Sequence, residues 1–196
     1  MKKVLASILV LLLAVPISAP AFEWPSVAEK ALQSVVSLES NGRLQCTAFS
    51  INESRRLFMT AAHCNGENLT LGGEIAWSVY FNEAEDIMVL QSEGIVKPAL
   101  KPGKLPKVGQ DIASIGFGYG FKEPMFRTGR VSKVQAPFDD IGEFMETDFS
   151  IIGGMSGGPM IDQDGKVIAI NQRGNMQISL GKNIRQILEL TRQYWA

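Results

Sequence analysis

Residues 94–109 constrain this chain most. The stretch carries Pro98, Pro102 and Pro106 with basic residues between them. Proline has no N–H to give to a strand ladder and is unwelcome in central strands. Short β-type runs flank the stretch. Before it they cover residues 35–38, 44–51, 57–60, 69–71, 75–81 and 87–90. After it they cover 111–115, 126–134, 144–147, 159–161, 167–171 and 176–180. Each set is enough for one small barrel. The proline-bearing stretch is thus expected to be a crossover between two barrels, not a flexible linker between independent domains. Barrel one is placed at about 34–93, the crossover at 94–109 and barrel two at about 110–181. The dipeptide Asp164-Gly165 signals a hairpin turn within the second set. Residues 182–195 place Ile184, Ile187, Leu188, Thr191 and Trp195 at helical spacing, which predicts a closing helix with a solvated outer face. A further helix is expected over 26–33, with Ser26 as its cap and Glu29 three residues on.

At the start, Lys2 and Lys3 precede an apolar run over 4–15, followed by Ala19-Pro20-Ala21. A positive start, a short apolar core and a small-x-small end describe a secretory leader over 1–21, cleaved before Phe22. The alternative is a membrane anchor, but about 20 apolar residues are needed to span a bilayer. Export to the periplasm or beyond, with 22–196 as one domain, is the expectation, and no membrane association after cleavage. A formal net charge of −1 argues against a nucleic-acid surface. Cys46 and Cys64 are the two cysteines. In an oxidising compartment such a pair reads as a disulfide, with two free buried thiols as the alternative. Two cysteines and one histidine are too few ligands for a closed metal site, and no cofactor is called for.

The chemistry concentrates at Gly153-Gly154-Met155-Ser156-Gly157-Gly158-Pro159. Glycines allow a tight turn that lifts a hydroxyl clear and aims backbone N–H groups at one point, a cradle for an oxyanion. Ser156 is the candidate nucleophile, and the N–H groups of Gly154 and Ser156 are the candidate oxyanion donors. A serine needs a base. The chain has one histidine, His63 in Thr60-Ala61-Ala62-His63-Cys64, so a histidine base must be His63. Asp86 is the natural carboxylate to orient it, with Glu83 and Glu85 as fallbacks.

The three patterns, in the chain order His63, Asp86, Ser156, resemble the chymotrypsin-like (trypsin-fold) serine proteases. Within them the chain is most similar to the protease domain of bacterial HtrA/Deg proteins. Thr147-Asp148-Phe149-Ser150-Ile151, Ser114-Ile115-Gly116-Phe117-Gly118 and Thr128-Gly129-Arg130-Val131-Ser132 are similar to segments of that group. The resemblance runs from about residue 35 to about 180. It implies an all-β fold of two six-stranded antiparallel barrels with a C-terminal helix, an active site between the barrels, and hydrolysis of polypeptides through an acyl-enzyme. It also implies a bridge between Cys46 and Cys64. After the closing helix no sequence is left for the PDZ modules these proteins usually carry. Asp148 is then structural. The base-of-pocket position falls at Ser150, which is neutral, so a trypsin-like preference for Arg or Lys is not expected. Glutamate-specific relatives use a second histidine, which is absent here. Gln172, Arg173 and Gly174 form the opposite pocket wall, pairing with substrate as an added strand. Gly174 leaves the mouth open, so cleavage after small or medium apolar residues is expected. Arg173 either favours an acidic group further along the substrate or is a solvated rim charge. Met155 departs from the family's usual Asp or Asn before the nucleophile, so no activation switch of the digestive kind is expected. The alternative reading is an inactive relative that binds peptides or partner proteins in the cleft, and an esterase is a third.

Overall fold

A computed structural model describes residues 23–137, 143–175 and 177–195. The expected leader, 1–21, lies outside these residues. In the first half, β1 (Val35–Ser40), β2 (Arg43–Asn52), β3 (Leu57–Thr60), β4 (Leu69–Leu71), β5 (Glu74–Asn82) and β6 (Ile87–Ser92) close in the order β1-β2-β3-β6-β5-β4. In the second, β7 (Asp111–Gly116), β8 (Met125–Pro137), β9 (Glu143–Thr147), β10 (Pro159–Ile161), β11 (Val167–Gly174) and β12 (Ser179–Asn183) close in the order β10-β11-β12-β9-β8-β7. The pairings within each barrel are antiparallel. Closure leaves neither sheet with an open edge.

Period-two alternation explains how the barrels are joined. Successive side chains on a strand point to opposite faces. Phe58, Met88 and Leu90 fill the interior of barrel one, while Leu57, Met59 and Val89 between them face outward. In barrel two, Ile112 faces inward and Ala113 outward, while on β11 a register shift against β10 interrupts the alternation, so that Ile168 and Ala169 both join the interior and Val167 and Ile170 the outward set. The two outward sets meet in one shared apolar cluster. Both faces of β3 are therefore buried, and the barrels dock as a single body. The crossover is stitched down on both sides. Leu100 N–H donates to Ser50 O at 2.9 Å, Gly103 N–H to Val167 O at 2.7 Å, and Val167 N–H to Lys101 O at 2.9 Å.

Several strands run one to three residues past their expected ends, and three further boundaries move for a local reason. Helix α1 runs over Trp24–Leu32, with Glu23 at its cap position and a proline in its first turn. Pro25 brings its own helical φ and starts the helix early, so Ser26 lies inside it. The closing helix α2 covers Ile184–Thr191 and passes into a 3₁₀ turn over Arg192–Tyr194. Asn183 caps it reciprocally: its side chain accepts from Gln186 N at 3.2 Å, and Gln186 Oε1 accepts from Asn183 N at 3.4 Å. Lys182, expected in the helix, belongs to β12. That strand begins at Ser179, not 176, because Asn175 Oδ1 accepts the N–H groups of Gln177 at 2.7 Å and Ile178 at 3.0 Å. Ile184 and Ile187 are buried and seal the shared cluster.

Cys46 and Cys64 are bonded, with Cα atoms 5.9 Å apart. The bridge closes a loop with a sequence separation of 18. Replacing both cysteines with alanine is expected to lower unfolding stability by about 3 kcal/mol, measured by urea titration against the oxidised wild type. An unchanged midpoint would show that the bridge constrains nothing.

Candidate active site

His63 lies in the 3₁₀ turn Ala62–Cys64 that follows β3, and the disulfide at Cys64 ties this turn to β2. Asp86 ends the turn between β5 and β6. Its φ of +54° places a non-glycine residue in the left-handed region, a conformation that persists when the surroundings determine it strongly. They do so here. Asp86 N–H donates to Glu83 O at 3.1 Å, and Glu85 N–H donates to Asn82 Oδ1 at 3.0 Å. The Asp86 carboxylate accepts from His63 twice over. Oδ1 takes the backbone N–H at 2.8 Å, and the ring Nδ1 lies 3.0 Å from Oδ1 and 2.9 Å from Oδ2. The carboxylate side chain is 16% exposed and the imidazole 45%. An ionised carboxylate can only accept, so Nδ1 carries a hydrogen, and in a neutral ring the lone pair is then on Nε2. Glu85 is committed elsewhere: its Oε2 accepts from Lys182 Nζ at 2.8 Å.

Ser156 stands in a turn whose shape depends on glycine at two places. Gly154 has φ +98° and Gly157 φ +79°, values that side chains with a Cβ rarely adopt. Met155, between Gly154 and Ser156, is fully buried in the interior of barrel two. The turn is anchored by apolar packing where an ion pair would need a charged partner. Met155 N–H donates to Ile152 O at 3.0 Å and Gly157 N–H to Asn171 O at 2.7 Å. Among the described residues, the N–H groups of Gly154 and Ser156 donate to no backbone acceptor and Ser156 Oγ makes no direct hydrogen bond. Barrel one holds this turn from below. Thr47 N–H donates to Ser156 O at 2.8 Å. A Cβ on Gly157 would meet Thr60 Oγ1 at 2.0 Å and Ala61 N at 2.8 Å. Ser156 therefore sits against the segment that leads directly into His63.

The residues expected to form the pocket have varied surroundings. Ser150 Oγ accepts from Arg127 Nη1 at 2.8 Å. Gly174 lies against Ile151, whose Cγ1 would be 2.5 Å from an added Cβ. Arg173 is exposed and lines, with Ala62, His63, Phe81, Glu83 and Asp86, a cavity of about 420 Å³ beside the imidazole. Gln172 is 3% exposed. Its Nε2 donates to Glu85 O at 3.0 Å and Asp86 O at 2.7 Å. Its Oε1 is buried with no partner among the described residues, which costs about 1–3 kcal/mol. The opposite amide orientation would set a carbonyl against two carbonyls, so the donors must face the Asp86 turn.

A family model for the trypsin-like peptidase domain matches residues 46–170, from the first cysteine through the serine turn to β11. The chain belongs to the trypsin-like peptidase domain family. Among its relatives is the pro-apoptotic serine protease NMA111 of Debaryomyces hansenii, 25% identical over 83% of this chain and 20% of that protein. A probable periplasmic serine endoprotease, DegP-like, of Hahella chejuensis is 35% identical over 47% of this chain and 20% of its own length. The chain thus spans about a fifth of the relatives it matches. Its trypsin-like fold recurs in the Rv3671c protease from M. tuberculosis, active form, with a TM-score of 0.75 at 19% identity over 99% of this chain and 94% of that one. It recurs also in the HtrA-type protease AlgW with tripeptide, with a TM-score of 0.77 at 21% identity over 87% and 63%.

Within this trypsin-like peptidase domain, several residues that shape the site carry no sequence motif. Thr47 is the clearest. Fully buried in β2, it donates through Oγ1 to Gly154 O at 2.7 Å and accepts there from Phe117 N at 2.8 Å. Its own carbonyl accepts from Thr60 Oγ1 at 2.8 Å. One side chain from barrel one thus holds the Gly154–Met155 peptide, just ahead of Ser156 in barrel two. Asn171 is the second. Its Nδ2 donates to Ser114 Oγ at 2.8 Å and to Met155 O at 3.2 Å, bracing the far side of the same turn. Asp148, expected to be structural, accepts from Arg130 N–H on the neighbouring strand.

Proposed function

We propose that this domain hydrolyses peptide bonds through an acyl-enzyme, with Ser156 as nucleophile, His63 as general base and acid, and Asp86 as the group that orients it. The observation that supports the reading is the His63–Asp86 pair at 2.9 Å, which engages the ring through Nδ1 and leaves Nε2 as the nitrogen that can serve Ser156. Ser156 Oγ attacks the scissile carbonyl carbon while Nε2 takes its proton. The carbonyl oxygen becomes an oxyanion, received by the uncommitted N–H groups of Gly154 and Ser156. Collapse of that intermediate breaks the C–N bond, and the imidazolium returns its proton to the leaving amine. Water then repeats the sequence to release the acid. A fluorophosphonate probe tests this. Wild type should be labelled at Ser156, and labelling should vanish in Ser156→Ala and His63→Ala. A folded wild type that takes no label points to the alternative, a peptide- or protein-binding cleft without catalysis.

Cleavage after small or medium apolar residues belongs to the same reading. A Cβ on Gly174 would meet Ile151 Cγ1 at 2.5 Å, so Ile151 takes up space that Gly174 would otherwise leave open, which favours a short side chain over a long one. Arg127 beneath it, bonded to Ser150, further disfavours a cationic side chain. In a panel of chromogenic peptides, alanine or valine before the cut should outpace arginine and lysine by at least about tenfold, the scale of a few methylenes and a like charge. Faster cleavage after arginine would overturn the pocket assignment. We further propose that 1–21 is an export leader and that 22–196 acts as one protease domain. The DegP-like relatives are named periplasmic. Intact-mass analysis of exported protein should find Phe22 at its start.

A further inference from the structure

The turn that carries Asp86 is held from the opposite barrel. β11 and β12 send two side chains across the interface, and both donate to the same pair of residues. Gln172 Nε2 reaches the carbonyl oxygens of Glu85 at 3.0 Å and Asp86 at 2.7 Å. Lys182 Nζ reaches the Glu85 carboxylate at 2.8 Å. Lys182 is 3% exposed and its ammonium also lies 5.1 Å from the centre of the Phe144 ring. A lysine almost never buries this fully without a specific partner. Glu85, by contrast, is 42% exposed along its side chain and could satisfy itself in water. The asymmetry says that the lysine comes to the turn, not the reverse. The unpartnered Oε1 of Gln172 points the same way: the amide is kept where only its donors are useful. The object of all three bonds is a strained segment, since Asp86 holds φ +54°.

We propose that Lys182 and Gln172 form an interbarrel clamp that positions Asp86, so that correct docking of the two barrels sets the orientation of His63. Neither side chain takes part in the chemistry; Gln172 acts through the Glu85 and Asp86 carbonyls and Lys182 through the Glu85 carboxylate. The functional consequence rests on the triad reading above. The geometric consequence does not, and this allows the two to be tested apart.

Lys182→Met is the informative change. Methionine has similar length and is at home in an apolar site, and losing one member of an ion pair is costly chiefly where the charge left behind stays buried. Glu85 is left beside solvent. The thermal midpoint should therefore hold or rise, while kcat for a peptide substrate falls by about 10- to 100-fold, the scale of a misplacement near 1 Å, with KM little changed. Because the chain has one histidine, the low-field proton resonance of its Nδ1–H is assigned without further variants. It should broaden or move upfield in Lys182→Met and in Gln172→Leu. Adding Glu85→Gln to Lys182→Met should cost nothing more, since both break one link. A kcat within about twofold of wild type with an unmoved resonance would overturn the clamp. So would a rate loss that only follows the loss of folded protein. If wild type takes no fluorophosphonate label, the peptidase reading falls, and the resonance still decides whether the clamp orients His63.

Discussion

Asp86→Asn should reduce kcat/KM for a peptide substrate by about 10⁴-fold, the size of effect this substitution has in trypsin-like proteases. The geometry says why. Asp86 Oδ1 already accepts the His63 backbone N–H at 2.8 Å, and an asparagine would keep its one acceptor oxygen there. Its NH₂ would then replace Oδ2, which lies 2.9 Å from the ring Nδ1. A donor at that place forces Nδ1 to become the acceptor and moves the ring hydrogen to Nε2. Nε2, the nitrogen proposed to serve Ser156, could then no longer take a proton. The fold should be unaffected, because the backbone bonds of the turn do not involve the substituted atom. Steady-state kinetics with circular dichroism as the fold control checks both halves. A loss under tenfold would mean that another group orients His63, and Glu83 would be the next candidate, since Glu85 is bonded to Lys182.

Gly157→Ala should be the most damaging single methyl in the molecule. A Cβ there would stand 2.0 Å from Thr60 Oγ1, 2.4 Å from Thr47 O and 2.8 Å from Ala61 N, with φ at +79°. Two of these three atoms are backbone, so no rotamer change relieves the contact. The turn must leave β2 and β3, taking with it the bond from Thr47 N–H to Ser156 O. We expect a loss of more than about 4 kcal/mol, the range reserved for such steric and strain mechanisms, or failure to accumulate as folded protein. Gly42→Ala is the control. It has a similar φ of +71° but meets nothing within 4 Å, so it should cost only the backbone term of about 1–2 kcal/mol. Similar urea midpoints for the two variants would show that the serine turn is not packed against barrel one as described.

Strand positions were legible to the extent that they depend on neighbours in sequence. The boundaries of β3, β4 and β10 coincide with those expected, because each is a short apolar run ended by polar or turn residues. Errors fell where a side chain intervenes. Asn175 delays β12 by capturing two N–H groups, and Pro25 advances α1. The charge of Lys182 fits the solvated face of the closing helix, yet the residue lies buried in β12. At the site, the serine turn and the His-Cys segment announce themselves through dense local residue choice. The bracing residues do not. Thr47 and Gly154 are separated by 107 positions, Gln172 and Asp86 by 86, and Lys182 and Glu85 by 97.

From its residues alone this chain determined that it would be two sets of six short strands around a proline-marked crossover, with one histidine and one glycine-framed serine as its chemical candidates. Alternation, turn residues and local motifs suffice for that, since they act within a few positions of one another. Only the tertiary structure decided how the Asp86 turn is held, why Gly157 has no substitute, and that a buried lysine spans the barrels. Each of these depends on donors and surfaces contributed by the opposite barrel, and no local pattern encodes the angle at which two barrels dock.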